Sequence, residues 1–293
     1  MGAPSSRRVR RYESTNRSRA RAFPFRASRD PWAILVSEAM AQQTQISRVV
    51  EKWGPFMAAF PTVEALAVAT PADVLRAWQG LGYNRRALNL WRAARTIVEE
   101  HGGRVPEEVA DLARLPGVGP YTARAVAAIA FGRPVGAVDT NVRRVIGRIA
   151  GGAEGLTEAA LQVAADAMVP ADRPADWTHA VMDVGATLCR PRRPDCGACP
   201  ARAWCRYAAA PPTLMPTVAR TRPEVRFETT SRWLRGRILE QLRAAADGIW
   251  TTIPGPLGTH DADAVGDALA ALARDGLVEL DALDPQVARL PLA

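Results

Sequence analysis

The chain has 293 residues, 48% hydrophobic and 23% charged, with 22 glycines and 23 prolines; this globular composition excludes collagen-like, coiled-coil and wholly disordered classes. No apolar run approaches the ~18 residues of a membrane span, and the Arg-rich start lacks the apolar core of a signal peptide. A soluble, cytoplasmic protein of two or three domains is expected.

The net charge of +8 is unevenly placed, because Arg7, Arg8, Arg10, Arg11, Arg17, Arg19, Arg21 and Arg26 meet only Glu13 in residues 1–26. Residues 1–20 form a basic arm that counterion release would draw to nucleic acid or another acidic surface; a disordered tail is the plain alternative. Lys52 is the only lysine in the chain, which restricts amine chemistry.

From Pro31 to Tyr207, Gly and Pro punctuate short helices without strand-like alternation, so this region reads as all-α. In the first helix Glu38 interrupts the apolar run Ile34-Leu35-Val36-Ser37-Glu38-Ala39-Met40. A buried carboxyl there stays protonated towards neutral pH, as a general acid requires, whereas a solvated face would leave it ordinary. Thr70, Pro71 and Asp73 start a helix ahead of Val74, Leu75 and Trp78. The helix from Asn84 to His101 stops at Gly102 and Gly103. Leu115-Pro116-Gly117-Val118-Gly119-Pro120 is a tight turn leading into a helix at Tyr121, and its outward amides suit one phosphate, although such turns also merely connect helices. Asp139, before Thr140-Asn141-Val142-Arg143-Arg144, stands at a further helix start, where an acid is ordinarily a cap.

The four cysteines fall together as Cys189-x6-Cys196-x2-Cys199-x5-Cys205. Clustering in a cytoplasmic chain favours metal over disulfide, and one C-x2-C hook with two longer arms favours an iron-sulfur cluster over zinc. Arg190, Arg192, Arg193, Arg202 and Arg206 surround them against Asp195 alone, so the loop offers positive charge to phosphate. Residues 208–224, rich in Ala, Pro and Thr, read as a linker. Residues 225–293 follow as a winged-helix-like module: helices near Arg232–Ala246 and Asp261–Arg274, then a β pair at Leu277–Leu280 and Val287–Leu290.

Taken together these motifs resemble the helix-hairpin-helix base-excision glycosylases, most closely the MutY-type adenine DNA glycosylases. The matching text is Ser37 to Gln45, Leu81-Gly82-Tyr83, the Leu115 to Thr122 hairpin, Asp139 to Val145, Met182-Asp183-Val184-Gly185-Ala186, and the four cysteines, in family order over residues 21–207. The resemblance implies two helical lobes, a barrel over residues 30–134 and a cluster lobe of residues 21–29 plus 135–207. Double-stranded DNA carrying a mismatched base lies across their cleft, bound by a monomer holding one [4Fe-4S] cluster on Cys189, Cys196, Cys199 and Cys205.

The implied chemistry extrudes adenine, lets Glu38 protonate its N7, and leaves Asp139 ionised to face the cationic sugar. Tyr121 stands where endonuclease III and related bifunctional enzymes carry a Schiff-base lysine, so efficient strand cutting is not expected. The same matching has Asn141, Asp183, Arg26 and Tyr121 line or brace the adenine pocket. Gln42 and Tyr83 fill or wedge the DNA stack, and Leu115, Gly117, Val118 and Gly119 hold the phosphate.

Three family features differ. The C-terminal segment shows neither the length nor the Glu-rich helix of a Nudix-like domain, which leaves recognition of 8-oxoguanine open, and Phe25 and Asn84 replace the usual Trp and second Tyr. Asp261, Asp263, Asp267, Asp275, Glu279, Asp281 and Asp284 against Arg274 favour a packing or partner role for the last module over DNA contact. The competing readings are a thymine or uracil glycosylase acting opposite guanine, and a non-enzymatic iron-sulfur DNA-binding regulator.

Overall fold

The computed structural model describes residues 21–210 and 226–292. The basic arm over residues 1–20 and most of the expected linker lie outside the described residues. In chain order the helices are α1 (Pro31–Ala41), α2 (Ile46–Ala59), α3 (Val63–Ala67), α4 (Pro71–Ala77), α5 (Arg85–His101), α6 (Val109–Leu112), α7 (Pro120–Ala130), α8 (Thr140–Ile146), α9 (Glu158–Met168), α10 (Pro174–Thr187), α11 (Arg206–Ala209), α12 (Ser231–Ala244) and α13 (Ala262–Arg274). Strands β1 (Thr251–Thr252), β2 (Glu279–Leu280) and β3 (Val287–Arg289) occur only after α12 among the described residues.

The chain divides into two compact units, the first comprising the described residues of Met1–Glu38, Pro106–Arg114 and Val118–Val218. Its core joins Val142, Val145 and Ile146 of α8 to Leu161 of α9 and Trp177, Val181 and Val184 of α10. Helix α7 carries an almost unbroken buried run from Thr122 to Ile129, and α10 packs against both α7 and α8. That packing is close because Gly185 has no side chain: a Cβ there would lie 2.6 Å from Cβ of Asn141. Helix α1 is apolar nearly all round, with Trp32 to Ser37, Ala39 and Met40 buried. Asp30 starts it by accepting from the amides of Trp32 and Ala33 at 3.3 and 3.0 Å.

The second unit comprises Ala39–Val105, Leu115–Gly117 and the described part of Ala219–Ala293. Phe56 of α2 meets Trp78 edge-on at 5.7 Å between ring centroids, and α5 buries Leu88, Leu90 and Ile97. Helix α4 starts as its sequence indicates, with the Thr70 hydroxyl accepting from the Asp73 amide at 3.1 Å, and α5 ends on Gly102 in the left-handed region.

The C-terminal segment packs α12 against α13 and α4 and pairs three antiparallel strands in the order β1-β3-β2. The sequence reading names the two helices and the β2/β3 pair but misses β1, since two threonines give no alternation to detect. Its acids are largely used locally. Asp261 caps α13, Asp275 pairs with Arg235, Glu279 pairs with Arg289, and Asp281 and Asp284 accept from turn amides.

Candidate active site

The first unit brings Glu38, Tyr121, Asp139, Asn141 and Arg26 into mutual range. Glu38 is partly exposed as a residue, yet its Oε2 is buried and has no hydrogen-bond partner. Burial therefore dominates at the carboxyl end. It lifts the Glu38 pKa from 4.5 to about 7, with the charge of Asp139 pushing the same way and the Tyr121 hydrogen bond and Arg26 opposing. The Tyr121 phenol is itself held well above its ordinary value, first by burial and then by the negative charge of Glu38 and Asp139. It stays protonated and can only donate to Glu38.

Asp139 takes the N-cap of α8, where Oδ1 accepts from the Val142 amide at 2.6 Å and Oδ2 from Asn141 Nδ2 at 3.2 Å. Both oxygens are thereby oriented. The two carboxyl groups thus stand in unlike settings, one desolvated with an unused oxygen and one held by donors at a helix start.

Asp183 does something other than contact that pair. It is buried and accepts from Arg26 at 2.8 and 3.0 Å and from Arg21 Nε at 2.7 Å. Burial raises its pKa, but Arg26 and then Arg21 overcompensate, so it lies below the ordinary carboxylate value. Arg21 and Arg26, the last two arginines of the basic N-terminal stretch, are thus fastened to α10. His179, one turn before Asp183, is held neutral, its pKa lowered to about 4 by burial and then by Arg26 and Arg29.

The four cysteines line one cavity together with Val145, Leu188 and Arg148. Burial raises the thiol pKa of Cys199 and of Cys205, and in each case the other three or two thiols add to it. Crowded thiols of this kind require a cationic centre to ionise together. All four thiols border the same space, although among the described residues no group of three donors is placed to hold a metal ion. Arg144 and Arg148 brace this loop from α8 and the π-helical turn after it: Arg144 Nε donates to the Cys189 carbonyl at 2.5 Å, and Arg148 donates to the carbonyls of Arg190 and Pro191 at 2.8 Å. Arg190, Arg192, Arg193, Arg202 and Arg206 are exposed.

Of the other candidates, Gln42, Tyr83, Leu115 and Gly117 fall in the second unit, and Val118 and Gly119 in the first. Gln42 Nε2 donates to the Gly117 carbonyl at 3.4 Å, and Gly117 (φ 79°) could not accept a side chain, because its Cβ would lie 2.7 Å from Cβ of Asn89. Leu115 and Val118 are buried, so their side chains are withheld from a ligand, while Gly117 and Gly119 are exposed and offer it backbone groups. Tyr83 is 40% exposed and holds φ at 46°, a region costly for a bulky residue.

Sequence reasoning misses Arg86, which organises this region. Its Nη1 donates to the carbonyls of Ala39 and Met40, both at 2.9 Å, and to Gln42, while Nη2 reaches Thr44 Oγ1 at 2.8 Å and the carbonyls of Leu81 and Gly82 at 3.1 and 3.0 Å. One guanidinium caps the C-terminus of α1 and ties it to the Tyr83 turn.

The family described as HhH-GPD superfamily base excision DNA repair protein matches residues 36–169, a span containing Glu38, the hairpin and Asp139. The adenine DNA glycosylase of Mycobacterium tuberculosis is 45% identical over 221 residues, 73% of this chain and 71% of that protein. That of Mycolicibacterium smegmatis is 40% identical over 258 residues, covering 85% and 84%. Among solved structures, a thermostable thymine-DNA glycosylase superposes with a TM-score of 0.64 at 32% identity, covering 69% of this chain and 94% of that one. The chain belongs to the HhH-GPD superfamily of base excision DNA repair proteins and, within it, to the adenine DNA glycosylase family.

Proposed function

We propose that the protein removes adenine from double-stranded DNA, where it stands opposite 8-oxoguanine or guanine, by hydrolysing the N-glycosidic bond without cutting the strand. The observation that carries this reading is the Glu38 carboxyl, desolvated, hydrogen-bonded to Tyr121 and poised at a pKa of about 7 within the field of Asp139. Near neutral pH much of it holds a proton, which it delivers to N7 of an extruded adenine. The C1′–N9 bond then breaks with its electron pair on a neutral base. Asp139, as carboxylate, stabilises the oxocarbenium-like sugar and takes the proton of the water that adds to C1′.

Tyr121 cannot form a Schiff base, so the strand stays intact. Asn141 fixes Asp139, and the Arg26 and Asp183 pair fixes the wall of the pocket. Gln42 and Tyr83 occupy the stack vacated by the base, and the Gly117 to Gly119 amides hold a phosphate. Cys189, Cys196, Cys199 and Cys205 would hold a [4Fe-4S] cluster. When bound, it supplies four metal-thiolate bonds that pin the Arg-rich loop for phosphate contact.

The likeness to a thymine-DNA glycosylase favours thymine or uracil opposite guanine as the second reading. Duplexes carrying A opposite 8-oxoguanine, A opposite G, T opposite G and U opposite G separate the two. Breakage of the adenine strand after alkali alone is the expected result; release of only T or U would transfer the same carboxylates to the other substrate.

A further inference from the structure

Arg232 lies in the first turn of α12, in the C-terminal segment whose sequence favours a packing or partner role over DNA contact. Its guanidinium carbon sits 4.1 Å from the centroid of the Tyr83 ring, and its Nη1 donates to the Tyr83 hydroxyl at 2.9 Å. A second guanidinium, that of Arg86, stands 5.5 Å from the same ring. The cation-π attraction of one exposed pair contributes modestly, whereas two cations around one phenol repel each other. The proximity is felt at Arg86, whose pKa is lowered to about 10 by burial and, further, by Arg232. Among the described residues no carboxylate pairs with Arg232, and its side chain belongs to an exposed residue.

Helix α12 is not free to carry Arg232 away. Arg243 donates to the Leu75 carbonyl at 2.9 Å and to Asn84 Oδ1 at 2.7 Å, and Arg76 of α4 donates to the Ala245 carbonyl at 3.1 Å and pairs with Asp247. The helix is therefore fastened beside the turn that holds Tyr83 in its left-handed conformation. The site combines an immobilised planar cation with spare donors, an aromatic ring presented to solvent, and no local anion. A phosphate diester supplies the missing charge, and a guanidinium offers it a two-pronged contact that an ammonium does not.

We infer that Arg232 is a positioning residue through which the C-terminal segment enters DNA binding: it orients the Tyr83 ring for entry into the base stack and binds the phosphate flanking that step. The inference rests on the reading of Tyr83 as a wedge given above, and it extends the DNA interface to a segment whose acidic composition argues against it. The seven acids counted there lie on α13, at its two ends, on β2 and between β2 and β3, whereas Arg232 lies on α12, where Glu240 is paired with Arg237.

The test uses the full-length protein with R232A and R232K, and with Y83A as control. Duplex binding is measured against salt, and a 2-aminopurine beside the target adenine reports unstacking. R232A should lower affinity about five- to tenfold near 0.1 M salt and reduce the magnitude of the log-log salt slope by about one. It should also suppress the fluorescence rise to the level of Y83A. R232K should keep the slope and lose much of the rise, a split that simple surface charge does not produce. Thermal melting serves as the folding control. A slope or a fluorescence rise unchanged in R232A overturns the inference. Binding is read without base release, so wild-type protein that binds and unstacks DNA but frees no adenine would refute the glycosylase reading and leave this one standing.

Discussion

Replacing Glu38 by Gln isolates the feature on which the proposed chemistry depends. A carboxyl shifted from 4.5 to about 7 binds its proton more tightly in the folded than in the unfolded chain. Its folded pKa is raised, so the stabilisation it gives at low pH disappears as pH rises through about 7. Linkage puts the loss between pH 5 and pH 8 at about 2.5 kcal/mol. Gln cannot titrate. Its buried amide carries a cost of its own, on the order of 1–3 kcal/mol, but that cost is independent of pH and cancels when the two pH values are compared. Thermal unfolding of wild type and E38Q, followed by circular dichroism across this range, should show melting temperatures that converge or cross, by an amount on the order of 5 °C. Base release should decline in the wild type above about pH 7 and be absent from E38Q throughout. Parallel stability curves from pH 5 to pH 8 would refute the claim that this carboxyl is desolvated in the native state.

The other predictions concern the framework. R86A strips donors from five backbone carbonyls and should destabilise the protein by about 2–4 kcal/mol in urea titration. D183A leaves Arg26 and Arg21 without their carboxylate and should cost about 3 kcal/mol, chiefly through the more deeply buried Arg26. Because the Asp183 pKa is depressed, its contribution in the wild type should be lost as pH falls through that lowered value, and D183A should lack this acid-side loss. C196S should abolish the visible absorption of an iron-sulfur chromophore and lower the iron content from about four per chain; stoichiometric zinc in the wild type would reject the cluster.

What the sequence discloses and what it hides divide along a physical line. Glu38 is conspicuous because a charge breaks an apolar helix, Asp139 because it precedes a helix, and the cysteines because their spacing is improbable without a shared ligand. Each is a local signal. Arg86 gives none, since its partners are carbonyls some 40 residues away, and a carbonyl looks alike on every residue type. The same applies to Arg243, Arg144 and Arg148. Arg21 misleads for a related reason: it is one of many arginines in a basic stretch, and only the fold sets it against Asp183. Composition misleads again in the last segment, where counting acids suggests a repulsive surface and the structure uses most of them for a cap, ion pairs and turn hydrogen bonds.

The arginine bias of the chain has a structural use in this light. Lys52 is the lone lysine among 38 basic residues, and several arginines do work that an ammonium cannot. Arg86 addresses six acceptors from two nitrogens; a lysine has three donors on one atom and cannot bridge the α1 terminus and the Leu81-Gly82 turn at once. The turn needs that bridge, since Gln43 and Tyr83 both hold positive φ values, 55° and 46°. Such conformations persist only where surrounding contacts over-determine them. The conserved charge of an Arg86→Lys exchange would therefore recover little: the turn would relax towards ordinary backbone angles, and Tyr83 would lose the orientation that Arg232 and Arg86 jointly impose on its ring.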